Sequence, residues 1–275
     1  IGFARGCDVL EFGALDPRQG AMFYTLDNTE NTSDKPPRFT RDMSCVQCHT
    51  WDGTANVPGW FLGSVWPAKD GRALDATGYG TDHRTGFEVR WGGWYVTGKH
   101  SFPSHMGNAV VPEGGDLAGL ITPESVHVES LEGRFDMTGY PSPYSDIVAL
   151  MVLEHQARMS SLITRAGWEA RLGAEAGQPL DTIVEELVDY MLFVDEAPLP
   201  GKVEGMSTFA RTFAARGPRD SQGRSLRTCS TRYSRPPGAS TRRTSSSAWS
   251  GCGMEQKTSV PVTWVKTLTG IIWPF

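Results

Sequence analysis

The sequence predicts a mainly α fold that carries long irregular loops rich in glycine and aromatics and ends in a poorly structured C-terminal tail. Three observations lead there. Apolar residues recur at helical spacing over about 146–172 and 182–195. Residues 51–110 hold five of the nine tryptophans between frequent turn signals. After residue 217 the text turns to arginine, serine, threonine and proline. A domain over 1–217 and a tail over 218–275 are therefore expected.

Bulk properties bound the rest. A chain of 275 residues, 39% hydrophobic and 21% charged, can bury a sizeable core. Its formal net charge of −5 argues against general nucleic-acid binding. It holds no run of 18 apolar residues, so no transmembrane segment is expected.

Taken in order, residues 21–26 read as a short strand or a helical turn, and 28–37 as a polar loop ending in Pro36-Pro37. Phe39 and Met43 lie four apart, which would set them on one helical face leading into Cys45. The segment 51–110, with Trp51, Trp60, Trp66, Trp91 and Trp94, reads as a long wrapping stretch in which glycines admit close backbone approach. The first long helix has Ser145 as N-cap and Val148, Met151, Val152, His155, Met159, Leu162 and Ala166 on its apolar face. The second opens on Thr182-x-x-Glu185 as a capping box and is ended by Pro198 and Pro200. Residues 218–250 hold nine Ser, seven Arg, four Thr and three Pro with Asp220 as the only acid, too little apolar surface to offset chain entropy. Disorder is expected there, or an aberrant text from an altered reading frame.

The chemistry concentrates in Cys45-Val46-Gln47-Cys48-His49. Cys-x-x-Cys-His is the arrangement that attaches a c-type haem: two thiols add to the haem vinyl groups and the adjoining imidazole ligates the iron. A structural zinc site would need a second closely spaced pair, whereas Cys7, Cys229 and Cys252 are scattered singly. A thioredoxin-like dithiol would follow a strand in a βαβ unit, a context that residues 38–43 do not suggest. One covalent haem c is the cofactor expected. Such haem is attached outside the cytoplasm, so a periplasmic or otherwise exported location, with an export signal ahead of Ile1, is expected too.

With these residues in view, the chain resembles the c-type cytochromes, and more narrowly a group of bacterial cytochrome c-domain proteins. The resemblance rests on Cys45 to His49, Val57-Pro58-Gly59, the block Arg90-Trp91-Gly92-Gly93-Trp94-Tyr95-Val96-Thr97-Gly98, His105-Met106-Gly107-Asn108, and the run from Ser145 to Gln156. It continues through Gly217-Pro218-Arg219-Asp220 to Leu226 and stops near Arg227. It implies a single haem and one-electron transfer with redox partner proteins, and carries no assigned reaction.

The sixth iron position decides between functions. Met106, in a loop bearing Pro103 and Gly107, is the leading candidate, with His105 as the alternative; His100 competes less well, and His155 reads better as a core histidine. Arg90, Trp91, Tyr95 and Lys99 are candidates to bind the haem propionates. An electron carrier is the expected function. The alternatives are a haem enzyme or sensor with an open or displaceable distal position, and a haem-bearing docking module of a larger respiratory complex. No acid/base pair or nucleophile triad stands beside the motif, so no catalytic residue is assigned.

Overall fold

The computed structural model describes residues 8–29, 36–74, 79–115, 117, 119–176 and 180–216. The expected tail over 218–275 lies outside the described residues. Strand β1 (Val9–Asp16) turns at residues 17–19 and pairs antiparallel with β2 (Gly20–Asp27), which pairs in turn with the short β3 (Thr40–Arg41). Asp16 makes the turn by accepting from the backbone N–H groups of Arg18 and Gln19, both at 2.8 Å. One face of this sheet is seated on the protein: Ala21 and Phe23 are buried, and the Trp60 ring lies so close over Gly13 that a Cβ there would enter it.

A long irregular run follows, holding 3₁₀ turns over Ser44–Gln47, Asp52–Thr54 and Phe87–Val89 and a second antiparallel sheet, β4 (Leu62–Ser64) with β5 (Tyr79–Thr81). Helix α1 (Pro123–Val126) is one turn, capped by Thr122. Helix α2 (Ile147–Ala176) is the axis of the molecule. Its cap is Asp146, one residue later than Ser145: the carboxylate accepts from the N–H groups of Val148 and Ala149 at 2.9 and 3.3 Å. The other carboxylate oxygen accepts from Ser207 N–H at 2.7 Å, which ties α2 to the segment entering α4 (Thr208–Ala215). Helix α3 (Asp181–Met191) packs on α2 and stops earlier than expected, because Phe193 and Asp195 take left-handed backbone conformations. Leu180, rather than Thr182, stands at its N-cap.

Two apolar clusters hold α2 in place. Its first turns, through Ile147 and Leu150, pack on Phe87, Trp91, Val96 and Phe102; further along, Met159 and Leu162 meet Ala55 and Tyr190. Alongside the second cluster, Ser160, Ser161 and Thr164 can be buried because each hydroxyl donates to a carbonyl of α2 itself.

The expectation of a mainly α fold is corrected. The described chain is 32% helical and 16% strand, with four α-helices and two antiparallel sheets. The helical face expected of Phe39 and Met43 is likewise replaced by extended backbone, since residues 40–41 are drawn into the ladder of β2. Among the described residues no helix is long and apolar enough to cross a membrane.

Candidate functional site

The motif opens on a 3₁₀ turn over Ser44–Gln47 that holds Cys45, and Cys48 is the residue that closes it. Met43 O accepts from Val46 N–H, and Cys45 O accepts from Cys48 and His49 N–H at 3.2 and 3.0 Å. The Asp42 carboxylate accepts from Ser44 N–H and Oγ at 2.9 and 2.6 Å, which starts the turn. Cys48 is exposed, Cys45 is half-buried, and both are free thiols. Burial, assisted by the carboxylates of Asp42 and Glu11, raises the Cys45 thiol above its ordinary pKa. A catalytic dithiol requires the opposite shift, so this environment does not favour a thioredoxin-like reaction.

His49 is fixed by two reciprocal bonds with Gly59. Gly59 N–H donates to His49 O at 3.0 Å, and His49 Nδ1 lies 3.0 Å from Gly59 O. With a carbonyl as partner, Nδ1 carries the proton and Nε2 keeps its lone pair free for a metal. Pro58 O also accepts from Ala21 N–H at 2.8 Å, so the segment that orients the imidazole is pinned to β2. Around the ring stand Phe23 at 4.5 Å, Phe61 at 5.3 Å and Trp60 at 6.5 Å between centroids. Gly59 admits no side chain: a Cβ would overlap the Ser161 hydroxyl and come within 3.2 Å of Thr54 Cβ.

The other expected site residues are seated elsewhere. Met106 is buried; its thioether accepts from Ser64 Oγ at 3.7 Å, and the same oxygen accepts from Gly92 N–H at 2.8 Å. His105 is fully buried, with Nε2 on Val126 O at 3.1 Å and Nδ1 unpartnered, and burial lowers its pKa to about 4. His100 binds the same carbonyl at 3.2 Å. Arg90 is 2% exposed and stacks on Phe87; its guanidinium donates to Glu154 Oε2 at 3.0 Å and to the carbonyls of His83 and Thr85 at 3.0 and 2.8 Å. That commits it to the fold rather than to a haem edge. Trp91 is enclosed between Phe87, Phe102 and His105, while Tyr95 is exposed and stacks on Phe135 at 5.0 Å. Lys99 pairs at the surface with Glu129.

Sequence reasoning missed a second constellation. His83 and His155 face each other with their Nδ1 atoms 3.0 Å apart, and both rings pack on Tyr190 and Phe193. Beside them lie Glu154 and Arg90. Burial lowers the two imidazoles to about 4 and about 3, so the pair is neutral, with one Nδ1 donating to the other. His155 thus has a partner within the fold, as its helical position suggested.

Among the described residues no cluster of three or more His, Cys, Asp or Glu side chains is arranged to hold a metal. A haem asks less of the chain, since the porphyrin nitrogens supply the equatorial ligands and one free imidazole nitrogen suffices beneath the iron. Comparison with protein-family models, with curated proteins and with solved structures found no match in any of the three.

Proposed function

We propose that this chain is a c-type cytochrome that transfers single electrons, with one haem attached through the thiols of Cys45 and Cys48 and its iron bound by His49 Nε2. The observation that carries the reading is the 3.0 Å contact of His49 Nδ1 with Gly59 O, which selects the tautomer able to ligate and holds the ring from behind. The free thiols of Cys45, in the 3₁₀ turn, and of Cys48, which closes it next to His49 in the chain, support it. Phe23, Trp60 and Phe61 add an apolar surround of the kind that raises a haem's potential by keeping water away. The bound haem would supply a reversible one-electron couple, passed to redox partner proteins in the periplasm or another exported compartment.

The test is intact-mass measurement and acid-acetone extraction of protein made in a host that matures c-type cytochromes. The haem mass should stay on the polypeptide, and Cys45→Ser with Cys48→Ser should release it. A wild-type protein stripped of haem by extraction would refute the assignment.

A second reading, a haem enzyme or sensor with an open or displaceable distal position, is supported by the seats of the two candidate sixth ligands. Met106 would have to leave the Ser64 hydroxyl and His105 the Val126 carbonyl. Prompt carbon monoxide binding by the ferrous protein favours this reading. A near-infrared sulfur-to-iron band that disappears in Met106→Ala favours the carrier.

A further inference from the structure

A cleft of about 290 Å3 opens next to the haem motif, with Asp52, Phe61, Thr81, Asp82, Arg84 and Arg158 among its walls. Phe61 belongs to both places, since its ring is also 5.3 Å from that of His49. On the inner wall Thr81 Oγ1 donates to Glu154 Oε1 at 2.8 Å, and Glu154 is fully buried on α2. Thr81 therefore both lines the cleft and bonds an enclosed carboxyl group, and its hydroxyl also lies 3.4 Å from Leu62 O. A hydroxyl can accept a proton on one side while giving its own on the other.

The surroundings of Glu154 suit a group that changes charge. From the loop after β5 it is faced by Arg90, which favours the ionised form, and by Asp82, which disfavours it. The neutral His83 and His155 and the phenol of Tyr190 complete the shell. Arg90 also donates to the carbonyls of His83 and Thr85, so its guanidinium stays in place if Glu154 becomes neutral. Burial outweighs the pull of Arg90 and raises the Glu154 carboxyl to about 7.

We propose that Glu154 is a proton-loading group served by the cleft through Thr81, and that one-electron reduction of an iron held at His49 is accompanied by proton uptake at Glu154. The coupling rests on the haem reading above; the proton exchange does not. An external one-electron donor supplies the electron. A hydronium ion in the cleft gives a proton to Thr81 Oγ1 as Thr81 passes its own to Glu154 Oε1, so a water is left, the hydroxyl is regenerated and the carboxylate becomes an acid. Reoxidation sends the proton back by the same route.

Two measurements test this on the full chain. Infrared difference spectra over about pH 5 to 9 should show a buried neutral carboxylic acid that titrates near neutrality and is missing from Glu154→Gln. Thr81→Val keeps the ion pair with Arg90 and should keep the band, while slowing its appearance after a pH jump at least tenfold. In haem-bearing protein the midpoint potential should fall as pH rises through the titration of Glu154, and this dependence should vanish in Glu154→Gln. A wild type with no such acid band, or an unchanged rate in Thr81→Val, overturns the proton site. A present band with a pH-independent potential overturns the coupling alone. A protein that carries no covalent haem overturns the haem reading, and the pH-jump arm still decides the role of Glu154.

Discussion

Gly59→Ala is the sharpest perturbation of the geometry around His49, because one methyl group is asked to fit where α2 and the loop already touch. The new Cβ would overlap Ser161 Oγ and stand 3.2 Å from both Ser161 Cβ and Thr54 Cβ. The hydroxyl can swing away only by leaving Ala157 O, to which it donates at 3.2 Å, a loss of about 0.5–1.5 kcal/mol. The two carbon contacts remain and must open by a few tenths of an ångström, which brings the change into the range of overpacking, about 1–3 kcal/mol. That strain falls on the peptide whose carbonyl holds His49 Nδ1, so the imidazole loses its orientation as stability drops. Urea unfolding measures the first effect, and the 15N shifts of His49 report the second. Ser161→Ala removes the overlapping oxygen and should restore about 1 kcal/mol in the double variant, a coupling expected of residues in direct contact. A loss below about 0.5 kcal/mol in Gly59→Ala, or strictly additive variants, would refute the account of this contact.

Acid should weaken the protein through its histidine pair. His83 and His155 have folded pKa values depressed to about 4 and about 3, so the unfolded chain binds protons first: their contribution is whole above about pH 6.5 and is lost as pH falls from there toward 3. Glu154, raised to about 7, acts in the opposite sense and loses stability as pH rises from about 4.5 to 7, so the histidine effect is read as wild type minus His155→Gln in urea midpoints. Equal pH slopes in the two proteins would contradict it. Asp146→Ala removes the cap of α2 and the partner of Ser207 N–H together, and should cost about 2 kcal/mol or more, with Asp146→Asn losing about half as much. A thermal denaturation series checks this, and a loss under about 0.5 kcal/mol would show that the cap is replaced by water.

What was legible in the sequence is what local interactions decide. The long helix was expected over 146–172 and runs Ile147–Ala176, because its apolar spacing is a property of neighbouring turns, although the cap was read one residue early at Ser145. The Cys-x-x-Cys-His turn is local in the same sense, its bonds closing within five residues. The N-terminal hairpin was not legible: β1 has no clean alternation, and what marks its inner face is Trp60 lying over Gly13 across a long loop. Gly59 as the partner of His49 carried a weak sign, since Val57-Pro58-Gly59 follows the motif closely, but the reason a glycine stands there is Ser161, a hundred residues further on. Arg90 shows the limit most plainly. A cation in an aromatic block reads as a propionate ligand or as a solvated surface charge, and its actual partner, Glu154 on α2, lies 64 residues away. Once α2 brings that carboxylate within 3.0 Å, it joins the carbonyls of His83 and Thr85 in satisfying the buried guanidinium. The charge of Arg90 is therefore spent inside the fold, on Glu154 and the carbonyls of His83 and Thr85.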